Sequence, residues 1–284
     1  GLLPGPTIYG AGAVLSTTGG HGDGHSLPVD LVVGDERWIG QLCDGVPECL
    51  RAVRMQLRRG ARVIKICASG GVMSEIDDPI HQQFSDEEIA AIVAEAERAD
   101  RVVAAHCHGK PGIMAALRNG VRTIEHGTYL DEEAAELMLE TGAVLVATRF
   151  VVEQLQVVAD TLPAYARHKA LAIADRHAEA MKIAVAAGVT IAMGTDIFLP
   201  GGYGSNSAEI RHLVDAGMTP LQAIEAATAT GPLTVGPQAP KSGRLEVGYD
   251  ADVIAVDTDP LADLTVWGEP DRVTHIWKAG VRVK

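Results

Sequence analysis

The sequence contains no apolar run approaching the roughly 20 residues that a membrane-spanning helix requires. It is also short of positive charge: 24 Lys and Arg against 37 Asp and Glu leave a formal net charge of −13. That balance argues against a nucleic-acid partner, which needs clustered Lys and Arg to neutralise phosphates. It argues equally against adhesion to an anionic membrane surface. The four cysteines, Cys43, Cys49, Cys67 and Cys107, form no Cys-x-x-Cys pair and no disulfide framework. Set among small apolar residues, they read as small hydrophobes in a reducing, cytoplasmic setting. The first residues, Gly1-Leu2-Leu3-Pro4-Gly5-Pro6, have neither the basic nor the apolar stretch of a signal peptide.

What is present is apolar and segmented. The 284 residues are 47% hydrophobic, enough to bury a substantial core. Four short apolar runs each deliver a polar residue where the run stops. They are Val63-Ile64-Lys65-Ile66-Cys67, Val102-Val103-Ala104-Ala105-His106-Cys107-His108, Thr123-Ile124-Glu125-His126 and Val189-Thr190-Ile191-Ala192-Met193-Gly194-Thr195-Asp196. Runs of this kind, flanked by Gly and separated by helical patterns, read as buried parallel strands. In a parallel α/β barrel the carboxyl ends of all strands face one mouth. Lys65, His106, His126 and Asp196 then converge.

Between these runs the chain reads as helices. Val46, Leu50, Val53 and Leu57 mark one apolar stripe, with Arg51, Arg54, Arg58, Arg59 and Arg62 on a solvated side. Ser85 and Glu88 form a capping-box sequence. Gly120, Gly142 and Gly188 stand where helices 110–119, 131–141 and 151–187 should stop, the last broken near Pro163. Helices are expected at 207–216 and 219–230, the second with Thr219 as cap and Pro220 at its first position. Strands are expected near residues 8, 64, 104, 124, 145 and 192. A full eight-stranded barrel takes about 250 residues, so the count predicts two strands absent from the front. The fold class expected is α/β, a (β/α)8 barrel of the TIM type lacking its first strands over 1–235. A short β-rich tail follows over 236–284, which cannot form a stable sheet alone.

His106 and His126 stand 20 residues apart, one strand-helix-strand unit. Neutral imidazoles and carboxylates suit zinc or a similar divalent ion, and Asp196 offers a carboxylate that can ligate metal or accept a proton from bound water. Lys65 is the odd member, because an ammonium repels a cation. Either it pairs with a carboxylate as an ordinary barrel residue, or CO2 converts it to a carbamate that bridges two metals. His21 and His25, in the Gly-rich loop after the first strand, are further candidates, set against the ordinary role of a loop histidine that caps or solvates.

At these residues the chain resembles the amidohydrolase superfamily, and most nearly its metal-dependent dipeptidase and carboxypeptidase branch, which includes Xaa-Pro dipeptidase-like and imidazolonepropionase-related proteins. The resemblance rests on Ile64-Lys65-Ile66 with Ser69-Gly70-Gly71, on Ala105-His106-Cys107-His108-Gly109, on Ile124-Glu125-His126-Gly127 and on Gly194-Thr195-Asp196. Ser16-Thr17-Thr18-Gly19-Gly20-His21-Gly22-Asp23 and the tail from Gly243 to Ile254 extend it over nearly the whole chain. It implies two divalent metal ions, usually zinc, with Lys65 as the carboxylated bridge. His106 and His126 would bind the more exposed metal, and Asp196 the buried metal while moving the proton to the leaving amine. The family does not fix a role for His108, which stands two residues past His106 on the same side of an extended strand; it and His21 are candidate substrate contacts, set against a structural role. The resemblance implies hydrolysis of a peptide-like amide, in a dipeptide or an N-acyl amino acid.

One departure matters. The family carries a His-x-His pair at the end of its first barrel strand, and here that spacing occurs only at His106-Cys107-His108. One alternative is therefore an inactive fragment that needs its missing N-terminal part; another, because this fold takes many substrates through loop variation, is a carbamate, urea or xenobiotic amide on the same site. As partners, a homo-oligomer or a missing N-terminal segment is expected.

Overall fold

The computed structural model describes residues 5–34 and 39–284. Six strands form a parallel sheet: β1 Val14–Ser16, β2 Gly40–Leu42, β3 Ile64–Cys67, β4 Val103–Cys107, β5 Thr123–His126 and β6 Val144–Val146, in the order β2-β1-β3-β4-β5-β6. The segment after Val189 extends the row, since Leu145 N donates to Thr190 O and Ala192 N to Leu145 O, both at 2.9 Å. Among the described residues no ladder joins β2 back to this far edge. β3, β4 and β5 are the apolar runs of the sequence, and Ile64, Ile66, Ala105 and Ile124 are fully buried in them. That both faces are covered explains why these strands read as continuous apolar runs.

Two strand readings are corrected. The strand expected over 7–15 is confined to Val14–Ser16. Gly12 takes a left-handed φ of 72° and brings its backbone against the Gln56 side chain, where a Cβ would lie 2.3 Å from Oε1. β2 was not foreseen, because its three residues, Gly-Gln-Leu, carry no periodic signal.

The helices stand close to where the sequence places them. Helix Asp86–Glu97 has both capping-box bonds, with Glu88 N donating to Ser85 Oγ at 3.3 Å and Ser85 N to Glu88 Oε2 at 2.7 Å. Thr219 caps Pro220–Ala227 in the same way. Gly142 and Gly188 are left-handed at the ends of Glu132–Thr141 and Ala164–Ala187, the conformation that glycine adopts without a Cβ penalty. Helix Gly45–Arg58 buries Cys49, Ala52, Val53 and Gln56, a face shifted from the expected stripe. The shift follows from Gln56, whose buried amide accepts from Ala13 N at 3.0 Å and donates to Gln41. The arginines lie on the exposed side as expected.

The tail forms a three-stranded antiparallel sheet, β7 Val253–Val256, β8 Val273–Lys278 and β9 Val281–Arg282. It is tied to the rest by Val266 and Trp267, both buried in the main apolar core. Gly268 N also donates to Ser207 Oγ at 2.8 Å. No helix among the described residues is long and apolar enough to cross a membrane.

Candidate metal centre

Register decides which side chains share a face. Lys65 pairs with Ala104, Cys67 with His106, and His106 with Glu125. Side chains at paired positions on parallel strands point the same way, so Lys65, His106 and Glu125 stand on the inner face. His126 is one residue beyond Glu125, and simple alternation would turn it outward. Instead its backbone is left-handed, φ 71°, and its ring lies in the cleft. Thr148 and Asp196, at the ends of the next two strand segments, are also left-handed, with φ of 55° and 51°. A non-glycine residue in this region costs energy, and here three of them end successive strands at one mouth.

Four imidazoles meet there. The His106 ring lies 4.7 Å from His126 and 4.8 Å from His108, near edge-on to both, while His108 and His126 are stacked 4.7 Å apart. His21 stacks on the other face of the group, 4.2 Å from His106. One nitrogen from each of His106, His108 and His126 falls within 4.8 Å of the others, and all three residues are buried. Burial, with mutual repulsion and the nearby Lys65, holds all three well below the ordinary histidine range. The same effect lowers His21 to about 4. They are neutral at pH 7, the form that binds metal.

The second ring nitrogens are held. His106 Nε2 donates to Gly70 O at 3.2 Å, which leaves Nδ1 for a ligand. His108 Nδ1 bonds Thr128 Oγ1 and His126 Nδ1 bonds Thr148 Oγ1, each at 2.7 Å, which leaves their Nε2 atoms. Such partners fix tautomer and ring orientation at metal sites. The three imidazoles fit a divalent ion of the zinc type; Asp196 is not one of this close group but lines the same mouth. The Asp196 side chain is open to the mouth, and loss of hydration there raises its carboxyl above the usual range against the pull of Lys65.

The Lys65 side-chain nitrogen is in direct contact with the Glu125 carboxylate, which Thr123 Oγ1 also meets. His21 Nδ1 bonds Ser74 Oγ at 2.8 Å. His25 Nδ1 accepts weakly from Ile76 N at 3.4 Å, and its Nε2 is buried with no partner among the described residues.

Above the histidines opens a cavity of about 470 Å³. His21, His106, His108, His126 and Asp196 line its polar side, and Val72, Val151, Val152, Leu155, Ile173 and Phe198 its apolar side. A second space of about 370 Å³ reaches Lys65 and Glu125. The sequence had not assigned Glu125, Thr128, Thr148 or Ser74. The threonines could have been found, since each stands one strand spacing after the histidine it holds, 20 residues after His108 and 22 after His126.

Residues 1–283 match the amidohydrolase family, and the chain belongs to it. It is 51% identical over 293 aligned positions to ochratoxinase of Aspergillus niger, covering 99% of this chain and 60% of that protein. The crystal structure of A. niger ochratoxinase superposes with a TM-score of 0.91 at 49% identity, over 100% of this chain and 67% of that one. A prolidase complexed with N-methylphosphonate-L-proline gives 0.93 at 36% identity, covering 100% and 71%. A Xaa-Pro dipeptidase with bound methionine gives 0.91 at 34%, covering 100% and 70%. The chain thus spans about 60% of the length of the ochratoxinases it matches.

Proposed function

We propose that this chain carries the metal centre of a hydrolase that cleaves a peptide-like amide C–N bond, in a dipeptide or an N-acyl amino acid. The observation that carries the reading is the close group of buried, neutral imidazoles, His106 and His126 among them, at a mouth that Asp196 also lines. His106, His126 and Asp196 would hold metal, zinc being the ion that suits these donors. A carboxylated Lys65 would bridge a second ion. Metal held by these residues would supply a hydroxide near neutral pH and Lewis acidity toward the scissile carbonyl.

The chain's own residues do the rest. Asp196 accepts a proton at its carboxylate and passes it to the leaving amine, and its raised pKa brings it nearer the working pH. His21 and His108 contact the polar end of the substrate from the cavity floor. The wall of Val151, Val152, Leu155, Ile173 and Phe198 receives an apolar side chain and sheds water around the reacting bond.

The fold is read as a TIM-type barrel over 1–235, with 236–284 contributing to a composite β domain. A cytoplasmic setting and association with a second copy, or with the further segment the relatives possess, belong to the same reading.

The likeness to ochratoxinase and the apolar wall favour, as a second substrate reading, a bulky xenobiotic amide of the ochratoxin kind. Zinc-loaded protein assayed against N-acyl amino acids, Xaa-Pro dipeptides, ochratoxin and phenylureas separates the readings. Turnover of the first two classes, lost in His126→Ala, supports the proposal. Turnover of phenylureas alone, or activity retained in His126→Ala, contradicts it.

A further inference from the structure

We infer that Glu209 is a positioning residue for His126, acting through Thr148. The inference rests on His126 being a metal ligand, as proposed above. Thr148 occupies the N-cap position of helix Arg149–Val157, yet its side chain makes no capping bond. A threonine there ordinarily accepts from the N–H two or three residues on. Here the backbone is left-handed, φ 55° and ψ 41°, and the hydroxyl bonds His126 Nδ1 instead.

The abandoned cap is taken over from a distant part of the chain. The Glu209 carboxylate, 1% exposed, accepts from Arg149 N at 2.8 Å through Oε1 and from Phe150 N at 2.6 Å through Oε2. Glu209 opens helix Glu209–Asp215, so its side chain reaches the first turn of another helix. The same short segment is clamped by His177 Nε2, which donates to Ala147 O at 2.7 Å, and by Arg149 Nη1, which donates to Ala174 O at 2.6 Å.

Without the Glu209 carboxylate, two N–H groups at a buried helix start lose their acceptors. An N-cap hydroxyl is the ordinary acceptor for the second of these N–H groups, and drawing Thr148 back to the cap takes it from His126. Glu209 therefore keeps the hydroxyl on the imidazole, which fixes the tautomer and leaves Nε2 for a ligand.

The test is a double-mutant cycle of Glu209→Gln and Thr148→Val, with Thr148→Ser and Glu209→Asp as conservative controls. Two readouts are taken on folded protein: zinc affinity by calorimetry, and the His126 ring nitrogens by 15N NMR without metal. A Gln keeps only one acceptor atom, so its amide nitrogen faces an N–H. Glu209→Gln is expected to weaken zinc binding by about 10- to 100-fold, the scale of a lost ligand partner. It should add little in the Thr148→Val background, and both variants should turn a single His126 tautomer into a mixture. Thr148→Ser should behave as wild type. Multiplicative losses of affinity, or an unchanged His126 spectrum in Glu209→Gln, overturn the inference. If wild type binds no zinc but the ring spectra change as stated, the inference stands and the metal reading falls.

Discussion

The His108 and His126 rings lie stacked, 4.7 Å apart and 10° from parallel, each tied at Nδ1 to a threonine from the next strand end. The two histidines are thus built alike, but only His126 is assigned here as a metal ligand, with His108 facing substrate. His108→Ala is then expected to keep zinc affinity within about threefold of wild type while raising KM more than it lowers kcat, the mark of lost uniform binding. A loss of bound zinc as large as that of His126→Ala would move His108 into the ligand set.

Lys65 and Glu125 make the other decisive contact, an ion pair inside the cleft. A carbamate at Lys65 requires the neutral amine, so Glu125 and CO2 compete for it. Zinc uptake should rise when bicarbonate is added to protein prepared without it, and the rise should be absent in Lys65→Met. In Glu125→Gln the amine loses its counter-charge, and less bicarbonate should suffice. Uptake indifferent to bicarbonate in all three proteins would leave Lys65 as a structural ion pair.

Much of this arrangement is legible in the sequence because the strands are buried on both faces and so stand out as apolar runs. Glycines and capping residues punctuate the helices, and Ser85, Thr219, Gly142 and Gly188 all do what their positions suggest. What escaped notice depends on contacts between distant residues. β2 has no pattern of its own and exists because β1 offers it a partner. The buried face of helix Gly45–Arg58 is set by the hydrogen bonds of Gln56, a residue that looks solvent-facing. That Lys65, His106, His126 and Asp196 share one mouth could be read from strand ends. That His126 enters it through a left-handed backbone could not.

The loop carrying Ser74 and Asp77 is held from the helix Ala164–Ala187. Lys169 Nζ donates to Ser74 O at 2.7 Å, to Asp77 O at 2.5 Å and to Gly71 O at 3.1 Å, and pairs with the Asp77 carboxylate at 3.3 Å. Both side chains are largely buried. Lys169→Met removes one partner of a buried pair and should destabilise the protein by about 3 kcal/mol. Faster amide exchange confined to residues near 69–78 should accompany it, because His21 is anchored to this loop through Ser74. Uniform or unchanged exchange would mean the loop is held by something else.

Glu209 gives a pH dependence of definite sign. Burial pushes its carboxyl up to about 7, against the opposing pull of the Phe150 and Arg149 N–H groups. In the unfolded chain a glutamate titrates near about 4.3, so over this range the folded state binds the proton more tightly. Its contribution to stability is complete below about pH 4.3 and is lost as pH rises through about 7. Denaturant unfolding of wild type and Glu209→Gln should show wild type losing more stability than the variant between about pH 5 and about pH 8. A difference that stays flat, or that grows in favour of wild type, contradicts the assignment.

Metal binding by His106, His126 and their neighbours is tested most directly by zinc titration of the metal-stripped chain. Wild type is expected to take up at least about one zinc per chain with micromolar or tighter affinity, and about two if the carboxylated Lys65 completes a second position. His106→Ala/His126→Ala, folded by circular dichroism, should take up none at that affinity. Equal uptake by both proteins would place the metal elsewhere and contradict the account.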